Sequence, residues 1–237
     1  SKIEVLLFLS KIIFLDSIRI FSADKILFIN KKIKLALIGM LLGDANLQKI
    51  SERLTARLRV NHSVKQYDYV QHKYTMFKEI IRTGILHSIE IRESGKTYHK
   101  RYFHTLTVPE LHFYFQMFYP NRVKVVPTNI HRYLKEPIVL AYWYMDDGAL
   151  KWRNRSKGVR ICTDNFTREE VCLLAQTLNN IYGWNVTVHR QRSRFRLYIP
   201  NKDYEFSLFV FPHILKSLQY KVPMPLKKKG PIFNATN

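Results

Sequence analysis

Ile138-Val-Leu-Ala-Tyr-Trp-Tyr-Met-Asp146-Asp147-Gly148-Ala-Leu150 carries no charge until two acids fall together before a glycine. Such a run predicts a buried helix that ends in carboxylates. Upstream, Lys34-Leu-Ala-Leu-Ile-Gly39-Met-Leu-Leu-Gly43-Asp44-Ala45 has the same design of an apolar stretch, an acid and a small residue. Measured from Asp44 and Asp147 the correspondence continues. Asn61 and Asp164 each lie 17 residues on, each closing a short β-like run, Arg57–Asn61 and Arg160–Asp164. Lys124 follows the first acid by 80 residues and Lys221 the second by 74, each shortly before a proline. An acid, a polar strand end and a lysine recur in one order, which marks an internal repeat.

The two helices carry chemistry in their spacing. Gly39 and Gly43 are four apart and lie on one helix face, where missing side chains let a second helix come close. Glycine costs about 1 kcal/mol in a helix interior relative to alanine, so a packing reason is expected. Asp44 and Asp147 fall at helix C-termini, where the macrodipole is negative and a carboxylate is disfavoured. Packed side by side, the helices would also set the acids against each other. A hard divalent cation with oxygen ligands resolves both conflicts.

From Glu52 to Asn61, Arg53, Thr55, Arg57 and Arg59 alternate with Leu54, Ala56, Leu58 and Val60, the pattern of a half-buried strand with a basic outer face. Val186–Ile199 repeats it, with Arg190, Arg192, Arg194 and Arg196 at every second position. Arginines that dominate an outer face suit a β-ribbon in a major groove. Further helices are expected over Tyr67–Leu86, Glu110–Tyr119 and from the capping box Thr167-Arg-Glu-Glu170 to Gly183, with strand signals over Lys96–Val108. Each repeat thus reads helix, two strands, helix, two strands, helix.

These residues resemble the LAGLIDADG homing endonucleases, in the single-chain form with both motifs in one polypeptide. Leu37–Ala45 supplies the first motif, with Gly39, Gly43 and Asp44 on its small, small and acidic positions. Leu140–Gly148 supplies the second, with Tyr142 and Asp146 where small residues are usual and Asp147 on the acidic position. The likeness covers about residues 34–225, including Val126-Pro-Thr-Asn129 and the Phe166–Val171 stretch. It implies an α+β fold of two pseudo-symmetric αββαββα halves, 34–136 and 137–225, each with a saddle-shaped antiparallel sheet, packed through the motif helices at Gly39, Gly43, Tyr142 and Asp146. By the same resemblance the chain is a monomeric double-strand DNA endonuclease. Mg²⁺, with Mn²⁺ as substitute, is expected at Asp44 and Asp147 with Ala45 and Gly148 beside them. Lys124 and Lys221 are expected near the scissile phosphates, Asn61 and Asp164 as residues that position water, and Arg53, Arg57, Arg59, Arg190, Arg192, Arg194 and Arg196 on the DNA. RNA of a host intron is the alternative partner, since some family members are maturases, and a relative that binds DNA without cleaving it is a third reading.

Composition agrees with a polyanionic partner. Lys and Arg number 39 against 18 Asp and Glu, a formal charge of +21. Two cysteines, Cys162 and Cys172, argue against a disulfide framework or a structural zinc site. Residues 1–33 are apolar but interrupted by Lys11, Asp16 and Arg19, short of the roughly 18 residues of a membrane span and without a cleavage signal. They are read as an added helix on the core or a leader. Residues 226–237, with Lys227–Lys229, read as a basic tail. Richness in Ile, Lys, Phe, Tyr and Asn points to an A/T-biased, organellar coding genome.

Overall fold

The computed structural model describes residues 30–152 and 156–225. The expected N-terminal extension, apart from its last residues, and the basic tail lie outside them. The elements run α1 (Lys31–Leu42), β1 (Asn46–Gln48), β2 (Arg57–Ser63), α2 (Tyr67–Met76), β3 (Leu86–Ile91), β4 (Thr97–His104) and α3 (Pro109–Phe118). A short helix α4 (His131–Leu134) leads to α5 (Pro137–Asp147), β5 (Gly148–Leu150), β6 (Val159–Cys162), α6 (Arg168–Tyr182), β7 (Thr187–Gln191), β8 (Arg194–Ile199) and α7 (Glu205–Val210). Helix, two strands, helix, two strands, helix therefore occurs twice, an α+β architecture with one four-stranded antiparallel sheet per copy, ordered β1-β2-β4-β3 and β5-β6-β8-β7.

Two compact units result. The described residues up to Leu37 group with Ala45–Met117; Ile38–Asp44 group with the described residues from Phe118 onward. In the first unit Leu58, Val60 and Phe103 form the sheet's core face and Tyr69 and Val70 of α2 are buried with them, all fully excluded from water. Helix α2 is shorter than the Tyr67–Leu86 expectation. It ends at Met76, a single 3₁₀ turn follows over Lys78–Ile80, and Leu86 already opens β3. The strand expected over Glu52–Asn61 is displaced: β2 begins at Arg57 and continues past Asn61 to Ser63.

In the second unit Val159, Ile161, Leu197 and Ile199 turn inward, as do Val171, Leu174 and Leu178 of α6. Helix α6 opens with the expected box: Thr167 Oγ1 accepts from the Glu170 amide at 3.3 Å while Glu170 Oε2 accepts from the Thr167 amide at 2.7 Å. It closes at Gly183, whose φ of +66° is the left-handed conformation of a helix stop. Residues 118–136, which link the repeats, belong here, with the Val126 amide donating to Glu170 Oε1 at 2.8 Å and Tyr182 Oη to the Leu134 carbonyl at 2.9 Å.

Helix α5 is buried from Ile138 to Asp146 because neighbours cover every side of it. The last turn of α1 is one of them. A Cβ on Gly39 would stand 2.9 Å from Tyr142 Cβ and collide with the Val139 carbonyl; one on Gly43 would stand 2.6 Å from Asp146 Oδ2. The two glycines of the first motif therefore make the room that Tyr142 and Asp146 fill in the second. Gly39→Ala should lose about 1–3 kcal/mol of stability through overpacking, despite alanine's better helix propensity. Gly84→Ala, where nothing lies within 4 Å, should stay within about 0.5 kcal/mol in the same urea titration.

Candidate functional site

Three carboxylates gather in the second unit. Asp147 is the last residue of α5, half-buried; Asp146 before it is buried; Asp44 follows the end of α1 and is exposed. The Asp44 amide donates to Asp146 Oδ2 at 3.2 Å, which ties the end of α1 to α5. Burial first, and then the charges of Asp44 and Asp146, push the Asp147 pKa up to about 8, against the pull of Lys124 and Lys221. The cluster reaches solvent at Asp44. Carboxylate oxygens gathered and partly shielded from water suit a hard divalent cation. Gly148 caps α5 with its amide on the Tyr144 carbonyl, and a Cβ there would strike the Tyr144 ring. Ala45 is buried in the first unit.

The two lysines stand at corresponding places. Lys124 Nζ donates to the Gly43 carbonyl at 2.7 Å, immediately before Asp44. Lys221 Nζ donates to the Met145 carbonyl at 2.7 Å, two residues before Asp147. Each ammonium satisfies a carbonyl that the helix end leaves without an amide partner and counters the negative pole of that helix. The Tyr144 hydroxyl donates to the Lys221 carbonyl at 2.6 Å, anchoring the segment that carries this lysine.

Sheet register decides which other candidates face outward. Arg57, Arg59 and Asn61 share the outer face of β2, opposite buried Leu58, Val60 and His62. Arg57 Nε donates to Gln48 Oε1 at 3.0 Å, the Arg59 guanidinium lies 5.8 Å from the Tyr102 ring centre, and Asn61 Oδ1 is buried with no hydrogen-bond partner among the described residues. Arg53 is not on the strand; it lies in the bend before it, so it does not join this row.

In the second sheet the expected row of four arginines is broken. Gln191 pairs with Arg194 across a two-residue turn, Arg192-Ser193, with Arg192 at φ +56°. A two-residue turn matches even positions of one strand with odd positions of the other. Arg194 and Arg196 therefore share the outer face with Gln191 and His189, while Arg190 pairs with Phe195 on the opposite face and Arg192 sits in the turn. Asp164 lies beyond β6 and is joined to Arg196 by two hydrogen bonds, Nε to Oδ1 at 2.9 Å and Nη2 to Oδ2 at 2.7 Å. Those bonds hold the Asp164 carboxyl below the usual range and raise the Arg196 guanidinium. The spacing that singled out Asp164 gave no sign of this partner, because it comes from β8 in the folded sheet.

Two further groups were not visible in the sequence. Gln191 Oε1 accepts from Arg196 Nη1 at 2.7 Å. In the first unit Lys73 is fully buried, its Nζ 2.9 Å from His62 Nε2 and 4.1 Å from the Tyr69 ring centre. Periodicity marks Lys73 as an ordinary polar helix residue, and no local signal distinguishes it.

Comparison with known proteins agrees with this geometry. Residues 34–206 match the model of the LAGLIDADG DNA endonuclease family. The DNA endonuclease I-ChuI of Chlamydomonas applanata is 33% identical over 199 residues, covering 78% of this chain and 91% of that protein. A probable intron-encoded endonuclease 1 of Wickerhamomyces canadensis is 30% identical over 200 residues, covering 78% and 81%. Among solved structures, the homing endonuclease I-WcaI bound to its DNA recognition sequence superposes with a TM-score of 0.75 at 26% identity, covering 84% of this chain and 88% of that one. With two motif helices, two four-stranded sheets and a family match over most of its length, this chain belongs to the LAGLIDADG DNA endonuclease family.

Proposed function

We propose that the protein is a sequence-specific endonuclease that cuts both strands of a long asymmetric DNA site with the help of a divalent metal, Mg²⁺ with Mn²⁺ as substitute, and that it acts as a monomer. The observation that carries this reading is the electrostatic interaction of Asp44 and Asp147 at the ends of the two motif helices, with Lys124 on the Gly43 carbonyl and Lys221 on the Met145 carbonyl. Asp44 and Asp147 would hold the metal, with Ala45 and Gly148 as their neighbours. The bound metal would supply Lewis-acid charge to the phosphodiester and make water a better nucleophile near neutral pH.

The chain's own residues do the rest. Lys124 and Lys221, fixed through Gly43 and Met145, hold positive charge where negative charge develops on a phosphate in the transition state. Asn61, with a buried Oδ1 free to accept, orients water on the first sheet. Arg57 and Arg59 on one sheet and Arg194 and Arg196 on the other face the DNA, and the net charge of +21 draws it in. An organellar gene within an intron is the setting this reading favours, in keeping with the intron-encoded relative.

Testing starts with a site recovered by selecting bound duplexes from a randomised library, then placed in a supercoiled plasmid. Asp44→Asn and Asp147→Asn should each lower the cleavage rate by at least about a thousandfold and leave binding within about tenfold, because the carboxylate is lost while like-charge repulsion is relieved. Strong residual double-strand cutting by either variant would remove the metal assignment.

The raised pKa of Asp147 carries its own prediction. A carboxyl whose pKa is higher in the folded state stabilises fully below its unfolded pKa, and that stability is lost as pH rises through the folded value. The metal-free chain should therefore melt at lower temperature as pH rises from about 4 towards 8. Asp147→Asn should flatten that slope, and added Mg²⁺ should raise the melting temperature of the wild type but not of this variant.

The lysines should divide the work between strands. Lys124→Met and Lys221→Met are each expected to slow one strand's cleavage at least about tenfold more than the other's, so that nicked plasmid builds up before linear product. Equal slowing of both strands, with no extra nicked species in the time course, would make the lysines general phosphate contacts.

A further inference from the structure

Arg196 is held at three of its nitrogens on the outer face of the second sheet. Nε and Nη2 donate to the two oxygens of Asp164 at 2.9 and 2.7 Å, and Nη1 donates to Gln191 Oε1 at 2.7 Å. Arg194 steadies the arrangement from beside it, its Nη1 donating to the Asp164 carbonyl at 3.0 Å. A guanidinium has five N–H groups in one plane, so this pattern leaves one on Nη1 and one on Nη2. Gln191 has its amide oxygen committed to Arg196, so its amide nitrogen is turned away and can only donate. A recess lined by Arg160, His189, Arg196 and Tyr198 adjoins the group.

The remaining N–H groups of Arg196 and the amide nitrogen of Gln191 give the unit a donor edge, and its charge is close to balanced by Asp164. Such a group is poorly matched to a phosphate, whose charge would meet the Asp164 carboxylate as well as the guanidinium. It is well matched to a neutral base edge with two acceptors. In the major groove that edge is guanine O6 and N7; adenine presents one acceptor and one donor, which would face another donor here.

We propose that Asp164, Arg196 and Gln191 act together to read a guanine in the target, with Asp164 as the residue that positions the guanidinium and not one that orients water for the reaction. This assignment rests on the endonuclease reading given above. It gives Gln191 a role in specificity, and it separates Arg196 from Arg57 and Arg59, which have no carboxylate partner among the described residues. Fixing a long cationic side chain before DNA arrives also removes the ordering cost of doing so on binding.

The full-length chain and a randomised duplex library test this. The wild type should select a sequence with guanine at a position whose preference over the other three bases is about tenfold or more. Asp164→Asn keeps the shape and removes the charge; it should reduce that one preference to about threefold or less. Affinity for unrelated duplex should hold or rise, and binding should weaken more steeply with salt as the guanidinium turns to phosphate. Arg196→Lys should lose the same preference, and the double variant should lose no more than either alone. Preferences at all other positions, kept in each variant, show that the sheet is still folded.

Unchanged preference at every position in Asp164→Asn and in Arg196→Lys would overturn the proposal. So would a large fall in the cleavage rate of bound DNA with the preference intact, which would return Asp164 to the chemistry. If Asp164→Asn fails to fold, Arg196→Lys decides by the same single-position readout. Selection of no sequence at all by the wild type would instead defeat the endonuclease reading itself.

Discussion

Mutual repulsion among Asp44, Asp146 and Asp147 is the constraint around which the second unit is built. Helix ends are already negative, and adding three carboxylates there is tolerable only with compensation. Two forms of it are visible. The Asp44 amide meets Asp146, which turns one acid into a backbone acceptor. Lys124 and Lys221 then place ammonium groups on the carbonyls of Gly43 and Met145. Burial first, and then the charges of Asp44 and Asp146, raise the proton affinity of Asp147 against the pull of both lysines.

The sheets serve the opposite requirement, a rigid outer face with defined side-chain directions. Leu58, Val60 and Phe103 in one sheet and Val159, Ile161, Leu197 and Ile199 in the other are fully buried, which fixes the register, and register fixes which polar residues look outward. Arg59 sits near the Tyr102 ring and Arg196 sits between Asp164 and Gln191, so both arginines are oriented by neighbours across a strand.

Much of this was legible in the chain before any coordinates. The repeat of apolar run and acid, the capping box at Thr167 and the alternation through Arg57, Arg59 and Asn61 rest on local periodicity, and local periodicity survives folding. Three features depended on how strands pair and pack and were therefore hidden. The arginine row of the second sheet failed because alternation continues through a hairpin in sequence, whereas a two-residue turn reverses which parity faces out. Arg53 looked like a strand residue because the alternating pattern begins before the pairing partner does; β1 and β4 engage only from Arg57 onward, apart from a single bridge at Ala56. The Asp164–Arg196 pair joins residues 32 apart in sequence, which no spacing rule selects.

The unequal contact between α1 and α5 bears on how duplicated segments diverge. Close approach of two helices needs a small residue at each crossing point, but only on one side of it. Gly39 and Gly43 supply both vacancies from α1, and α5 spends them on Tyr142 and Asp146. From the moment one copy held its glycines, the other was released from the same requirement and could acquire a bulky ring and an extra acid. The two motifs now have different mutational latitude: the first is confined to the smallest side chain, and the second can drift within whatever volume the first leaves open.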